Sequence, residues 1–137
     1  MIKVPFAVIA DSANVSREGK LNILGIFQNI GANVVPATHP LFSLVVTFQG
    51  ERGDANTEHP VKIQLVSADG DIMIDIGATL KFNLPPTGEH SVSAHQIFQF
   101  ANVSFPRFGT YDLNIFVYTE VRKTVSLNVI EIKQPSN

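Results

Sequence analysis

Apolar and polar residues alternate along nearly the whole chain. The clearest run has apolar residues at every second position, and these are Ile72, Ile74, Ile76, Ala78, Leu80 and Phe82. Asp75, Thr79 and Lys81 lie between them, so one side of the segment is apolar and the other is polar. A period of two residues is typical of a β-strand with one face buried and the other in water. The pattern predicts an all-β protein.

The first part of the chain predicts a hairpin, a connection and a central strand. Alternation over residues 4–10 resumes over residues 21–27, and Gly19 in the polar stretch between them suits a bulged hairpin turn. Residues 33–40 contain two prolines and predict a connection. Residues 41–48 are apolar at both odd and even positions, which indicates a strand covered on both faces.

The middle of the chain predicts two loops and a second hairpin. Residues 50–59 are polar and predict a loop before a strand that starts near Val61. Asp69 and Gly70 separate this strand from the next alternating run, which predicts a two-residue hairpin turn of type I′. Residues 83–91 contain two prolines and a glycine, so they predict a second loop.

The last part of the chain predicts a bent strand and a further hairpin. Apolar residues occupy even positions up to Phe100 and odd positions from Val103, so we expect a bulge or bend near residues 101–102. Residues 106–109 predict a turn into the next strand, and the last hairpin is expected around residues 120–123.

These segments predict about eight strands in one domain. Amphipathic sheets must bury one face against another layer, so we expect an antiparallel two-sheet β-sandwich over residues 1–133. A closed β-barrel is the alternative. Residues 134–137 are expected to form a frayed tail.

Composition narrows the functional classes. Charged residues make up 16% of the 137-residue chain and the formal net charge is −2, so no basic surface for nucleic acid is expected. No apolar run reaches the roughly 18 residues of a membrane helix. The first ten residues are too short for a secretory leader, and the chain has no cysteine. We therefore expect a soluble cytoplasmic protein.

The titratable residues do not form a recognisable metal site in the sequence. The four histidines His39, His59, His90 and His95 lack the close spacing of zinc ligands, so ordinary loop positions are expected for them. Asp69, Asp71 and Asp75 suggest calcium, but their spacing does not match the helix-loop-helix calcium loop. We expect no metal and no cofactor.

Catalytic and recognition motifs are equally weak. No nucleophile elbow, phosphate loop or dinucleotide fingerprint is present. Glu51, Asp54 and Glu58 could supply paired carboxylates, although nothing in their loop suggests a fixed separation. The same loop contains the integrin-type tripeptide Arg52-Gly53-Asp54, which we interpret as coincidence without export.

Two further residue types carry weak signals. Asn14 and Asn102 begin formal glycosylation sequences, which have no meaning without export. Tyr111 and Tyr118 are the only tyrosines available to stack on a sugar, and the chain has no tryptophan. Carbohydrate binding therefore has little support in the sequence.

Two stretches resemble a known family. Ala10-Asp11-Ser12-Ala13 with Gly19-Lys20-Leu21 and Gly25, and later Val103-Ser104-Phe105-Pro106 with Gly109-Thr110-Tyr111, are similar to a family of small uncharacterised bacterial and phage-associated domains. The resemblance implies a cytoplasmic β-sandwich of unknown function and carries no catalytic residues.

We expect a non-catalytic binding or scaffolding module that contacts a protein partner through loops or an exposed edge strand. The expected contact residues are Arg52, Asp54, Glu58, His59 and His90. A small-ligand or carbohydrate binder with a pocket at one end of the sandwich is the alternative, and a hydrolase with a loop-assembled site is the third hypothesis. The sequence predicts neither a nucleic-acid nor a membrane partner, and it leaves the oligomeric state open.

Overall fold

The computed structural model describes residues 1–133, and the expected frayed tail over residues 134–137 lies outside them. This part of the chain forms nine strands and a single 3-10 turn at Arg52–Asp54. The strands are β1 Lys3–Val15, β2 Leu21–Ile26, β3 Asn29–Ala32, β4 Ala37–Glu51, β5 Glu58–Val66, β6 Ile72–Lys81, β7 Ser91–Phe105, β8 Gly109–Val117 and β9 Glu120–Glu131. Within residues 1–133, no helix is long and apolar enough to span a membrane.

The strands form two sheets, which confirms the predicted all-β sandwich. One sheet has the order β2-β1-β4-β7 and the other has the order β3-β9-β8-β5-β6. Neighbouring strands are antiparallel except β3 and β9, which are parallel. The end strands of each sheet pair on one side only, so the described residues do not form the closed barrel that was the alternative.

The core lies between the inner faces of the two sheets. Its largest fully buried side chains include Phe42, Phe48, Phe82 and Phe105, one or more from each side of the sandwich. Complete burial of one such side chain stabilises the fold by about 1.5–3 kcal/mol. The phenylalanine side chain has no polar group that needs a hydrogen bond, so the abundance of phenylalanine in this chain suits a buried core.

The predicted hairpin at Asp69 and Gly70 is present, but its turn is not type I′. Gly70 has a φ of 88°, whereas Asp69 does not have a positive φ. The Ser67 amide donates to Asp71 O over 2.9 Å, and the Gly70 amide donates to Ser67 O over 3.0 Å. The turn therefore spans residues 67–71 with glycine in the left-handed position, a longer loop that needs one positive φ instead of two.

Strand boundaries differ from the predicted ones at four places. β4 already starts at Ala37, inside the predicted 33–40 connection, and it continues to Glu51. β5 starts at Glu58, so the predicted 50–59 loop shrinks to the 3-10 turn and its neighbours. The last hairpin turns at residues 118–119, since β8 ends at Val117 and β9 begins at Glu120.

The structure has a ninth strand that the alternation pattern did not predict. β3 has four residues and pairs in parallel with the end of β9. Alternation over so few residues is too short to be distinguished from a loop, and the pairing depends on a distant segment. The connection between β3 and β4 contains the only cis peptide bond among the described residues, between Val35 and Pro36.

The predicted bend near residues 101–102 is confirmed, with a detail that the sequence did not supply. Asn102 has a φ of 53°. The pairing register is the same on both sides, because Leu41 pairs with Ala101 and His39 pairs with Val103. The strand therefore changes the face of its apolar residues through a left-handed backbone conformation, without an inserted residue in the ladder.

Candidate functional site

Arg52 ties the two predicted contact loops together. One nitrogen of its guanidinium donates to the carbonyl oxygens of Pro85, Pro86 and Glu89 over 3.1–3.3 Å. Its backbone amide also donates to His90 O over 2.7 Å. The side chain of Arg52 thus fixes the 83–90 segment against the end of β4, which gives it a structural task.

Asp54 is engaged within its own turn. Its Oδ2 accepts a hydrogen bond from the Glu51 amide over 2.8 Å. Gly50 makes room for this arrangement, because a Cβ there would lie 2.9 Å from Asp54 Oδ2 and 3.1 Å from a ring carbon of Phe82. The Arg-Gly-Asp tripeptide is therefore a 3-10 turn whose two charged side chains bind backbone groups of this chain.

His59, expected in an exposed loop, is instead buried with 4% of its surface accessible. Its Nε2 lies 2.8 Å from Asp54 O and must donate, because a carbonyl oxygen only accepts. Its Nδ1 lies 2.7 Å from the Tyr118 hydroxyl. The imidazole links the 3-10 turn to the β8–β9 turn, and Tyr118 holds that turn with a φ of 57°.

The five expected contact residues thus divide into two groups. Arg52, Asp54 and His59 contribute to the internal structure of one end of the sandwich. Glu58 and His90 are exposed at the same end. The sequence placed these residues in two loops, but it could not show that the loops are bound to each other.

The remaining histidines and aspartates are spread over the sandwich. His95 Nδ1 lies 2.9 Å from Thr47 Oγ1 across β4 and β7. Asp75 Oδ2 accepts from Gln64 Nε2 over 3.2 Å, whereas Asp69 faces a different residue, Arg107. No group of three or more His, Asp or Glu residues within residues 1–133 could hold a metal ion.

A cleft of about 430 Å³ opens at one end of the sandwich, beside the 67–71 turn. Arg107 and Asp69 form an ion pair of 3.0 Å at its rim, with 76% and 61% of their side chains exposed. Met73 and Phe108 supply apolar lining. The cleft offers a ligand apolar surface and one exposed ion pair. Small-molecule sites usually provide several polar groups that point at the ligand, so this cleft is only partly suited to binding one.

Tyr111 borders this cleft but serves the fold. It is 2% exposed, and its hydroxyl donates to Arg107 O over 2.7 Å and accepts from the Arg107 amide over 3.1 Å. Its ring packs edge-on against Phe105 at 4.9 Å between centroids. This is the arrangement of a tyrosine corner, in which a tyrosine near the start of a strand binds the backbone upstream. Tyr111 is therefore not available as a sugar platform.

The outer faces of both sheets have exposed side chains, and that of the five-stranded sheet includes the apolar Val121 and Ile130 of β9. The outer face of the five-stranded sheet has polar pairs across its strands, including Thr124 with Asn114 at 2.7 Å and Ser126 with Asp112 at 2.8 Å. The outer face of the four-stranded sheet has exposed apolar side chains, which are Phe6, Leu24, Ile26 and Leu41. Val45 lies at its centre and is fully buried among neighbours.

β7 is the most unusual edge of the molecule. It ends the four-stranded sheet, and among the described strands it pairs with β4 alone. Its 15 residues include no Asp, Glu, Lys, Arg or Pro. The sequence held this signal in the uncharged run from Ser91 to Phe105, but only the topology identifies the run as an edge.

Comparison with known proteins gives the family of the chain. The model of a family of unknown function, DUF6941, matches residues 5–130. This chain belongs to that family. The match covers both stretches that carried the resemblance in the sequence, whereas the bacterial and phage association stays a prediction. No curated protein matches this DUF6941 chain in sequence.

Several solved structures are similar to this DUF6941 protein at low identity. The alkylpurine DNA glycosylase AlkC of Pseudomonas fluorescens, bound to DNA with an abasic site analog, has 10% identity, 93% coverage of this chain and a TM-score of 0.46. The β-glucosidase of Listeria innocua in complex with glucose has 7% identity, 94% coverage and a TM-score of 0.49. This chain spans 30% of the glycosylase and 16% of the glucosidase.

A third similar structure has nearly the same extent as this chain. It is an immunoglobulin-like protein of Pseudomonas aeruginosa, with 15% identity, a TM-score of 0.41 and coverage of 95% of this chain and 97% of that one.

Two of the residues that carried the family resemblance meet in the structure. Asp11 of β1 lies directly across from Gly25 of β2, and Gly25 has a φ of 72°. A Cβ at Gly25 would collide with the Asp11 carboxylate. Asp11 thus closely approaches the backbone of Gly25, and this contact together with the positive φ requires glycine.

Proposed function

We propose that this protein is a non-catalytic binding module that adds an extended segment of a protein partner to the outer edge of β7. One observation carries the proposal: β7 is a 15-residue edge strand without a charge or a proline. Natural sheets normally protect long edges with lysine, proline, bulges or a covering segment, because an unprotected edge pairs with other chains. Strand addition is a common mode of peptide recognition.

The pairing register indicates which groups of β7 a partner would bind. The Arg52 amide donates to His90 O, and the adjacent pair in the ladder is Glu51 with Ser91. Arg52 and His90 are therefore a hydrogen-bonded pair that continues the ladder. Hydrogen-bonded and non-hydrogen-bonded pairs alternate in an antiparallel ladder. The even-numbered residues of β7 therefore bind β4, and the odd-numbered residues from Ser93 to Gln99 direct their amides and carbonyls away from the sheet.

The other sheet ends are less suited to this role. β2 has six residues and contains Gly25 in a left-handed conformation, and β3 has four residues. β6 contains Asp75 and Lys81, whose charges oppose strand addition. Length and absence of charge together favour β7.

The loops that the sequence suggested remain part of the proposal as flanking contacts. His90 immediately precedes β7, and Glu58 is exposed at the same end of the sandwich. A partner strand that follows β7 would pass these two side chains. Arg52, Asp54 and His59 would support them from within.

The test uses one position and two substitutions. Ser93 is exposed, and its amide points away from β4 in the register above. Ser93→Pro removes that amide hydrogen, and Ser93→Ala keeps it. Proteins from the host that bind wild type and Ser93→Ala but not Ser93→Pro would be purified and rebound. Slower amide exchange at Ile97 and Gln99 in the rebound complex is the expected result. Equal binding by both variants would exclude the β7 edge.

A small-ligand function is the second candidate, because of the 430 Å³ cleft with the Arg107–Asp69 pair at its rim. Titration calorimetry with neutral sugars and with small carboxylates and phosphates tests it. Heat that disappears in Arg107→Ala would favour this function. Absence of heat with every compound would remove it.

A further inference from the structure

A further cleft, of about 290 Å³, is lined by residues of both sheets. The lining residues are Asp11, Phe27, Asn29, Ile30, Gly31 and His39. Asp11 lies in β1 and His39 in β4 of the four-stranded sheet, whereas residues 29–31 lie in β3, an end strand of the five-stranded sheet. We refer to this site as the β3 cleft. The two sheets contribute different chemical groups to it.

Asp11 supplies a negative charge without a partner. It is exposed, and it lies on the same face of β1 as the core residue Ile9, two positions earlier. Neither of the two ion pairs within residues 1–133 includes it. The carboxylate lies against the backbone of Gly25, where the missing Cβ leaves room for it. Asp11 is therefore free to accept hydrogen bonds from a cationic ligand.

β3 supplies backbone groups that bind no other strand. Gln28 O and Ala32 O accept hydrogen bonds from amides of β9 and of the residue after it, over 2.8 Å and 2.9 Å. Alternate residues of a strand bind the same neighbour in a parallel ladder, so the even-numbered residues of this segment bind β9. Asn29 and Gly31 direct their amides and carbonyls to the other side, where β3 pairs with no strand among the described residues.

Two rings supply an apolar wall. Phe27 is half-buried, and its ring centroid lies 5.7 Å from that of His39. His39 pairs across β4 and β7 with Val103, whose side chain is in the core. Directly paired residues direct their side chains to the same face of a sheet, so His39 lies on the inner side of the sandwich. An apolar group of a ligand can pack against this ring pair.

The spacing of the free backbone groups indicates the shape of the ligand. In a parallel ladder, one residue donates its amide to a carbonyl of the facing strand and accepts from the amide two positions further along that strand. Asn29 O and the Gly31 amide are such a pair of groups. The Asp11 carboxylate in the same cleft favours a charged donor, because hydrogen bonds between ions are about twice as strong as neutral ones.

We infer that the β3 cleft binds a primary ammonium group that is attached next to a carbonyl oxygen, as in a peptide amino terminus or a free amino acid amide. The ammonium group donates to Asp11 and to Asn29 O, and the ligand carbonyl accepts from the Gly31 amide. The first side chain of the ligand packs against Phe27 and His39. A cleft of this volume is at the lower end for small-molecule sites and suits one or two residues.

Nuclear magnetic resonance of the isotope-labelled protein tests the ligand chemistry. The probes are leucinamide and the tripeptide amide Leu-Gly-Gly, at about pH 7, where most α-amino groups are protonated. Both should shift the amide resonances of Asn29 and Gly31. N-acetyl-leucinamide keeps the side chain and the carbonyl but has no charge, so it should bind about tenfold more weakly or worse. Equal binding of the acetylated compound would overturn the inference.

Asp11→Asn tests the carboxylate, because it keeps the shape of the side chain beside Gly25 and removes the charge. It should weaken binding of leucinamide about tenfold or more. Asp71→Asn is the matched control, since Asp71 is exposed beside β6 at the opposite end of the five-stranded sheet. It should change binding less than about twofold. The same affinity in both variants would overturn the role of Asp11. If Asp11→Asn does not fold, the acetylated compound decides with the wild type.

The two probes distinguish the source of the ammonium group. Tighter binding of the tripeptide supports a peptide amino terminus, and equal binding of both probes supports a free amino acid derivative. Neither probe shifting Asn29 and Gly31 at millimolar concentration would overturn the inference. The β7 edge is not part of the β3 cleft, so that result leaves the Ser93→Pro test of the proposed function unaffected.

Discussion

Replacement of Arg52 by alanine should destabilise the fold, although the sequence placed Arg52 in an exposed contact loop. The substitution removes the guanidinium that donates hydrogen bonds to the carbonyl oxygens of Pro85, Pro86 and Glu89. A hydrogen bond from a charged donor contributes about 1.5–3 kcal/mol where it is well shielded. Two of these three bonds are exposed, and their carbonyls can bind water after the change. We therefore expect a loss of about 1–2 kcal/mol in the free energy of unfolding.

Circular dichroism recorded at increasing urea concentration measures this loss. It is the suitable signal because the chain has no tryptophan to report unfolding by fluorescence. For a domain of this size the expected change corresponds to a fall of about 3–8 °C in Tm. Arg52→Lys should recover less than half of the loss, since an ammonium group cannot reproduce the planar guanidinium contacts.

Arg17→Ala is the matched control. Arg17 is exposed in the β1–β2 hairpin, and its removal changes the net charge by the same amount. It should alter the free energy of unfolding by less than about 0.5 kcal/mol. If Arg52→Ala and Arg17→Ala unfold at the same urea concentration, the contacts of Arg52 do not stabilise the loop and the reasoning is refuted.

Three further substitutions test other features. Tyr111→Phe should lower the free energy of unfolding by about 1–3 kcal/mol in urea, because it removes two part-buried hydrogen bonds to the backbone of Arg107, each contributing about 0.5–1.5 kcal/mol; a change below about 0.5 kcal/mol would contradict the tyrosine corner. Arg107→Ala should change it by less than about 0.5 kcal/mol, since it breaks only an exposed ion pair; a larger calorimetric loss would contradict this. Asn102→Ala should lower Tm relative to Asn102→Gly by the equivalent of about 1 kcal/mol, because φ is 53° there; equal Tm values would argue against a left-handed conformation.

The strands were predictable because each carries its own evidence. Alternation over ten or more residues, as in β6, fixes which face is buried whatever lies opposite. Gly70 marks a hairpin because few residues accept a positive φ. β3 was missed because four residues give no period, and their parallel pairing with β9 depends on contacts about a hundred positions away in the chain.

The candidate site was predictable only in part. Polar loop sequences identify the 50–59 and 83–91 segments, but hydrogen bonds such as those of Arg52 depend on which loops the fold brings together. His59 shows the same difficulty, since its burial results from Asp54 and Tyr118 and not from its neighbours in the chain. An exposed histidine and a buried one have the same sequence signature before a proline.

The fold class, the inward face of most strands and the turns that need glycine could be predicted from the sequence, because local periodicity and backbone sterics determine them. The sequence also held the uncharged run from Ser91 to Phe105. Contacts in three dimensions were needed to show that this run is an edge strand and that the predicted contact loops are bound to each other. Strand order and side-chain partners arise from contacts between distant segments, and a one-dimensional pattern does not contain them.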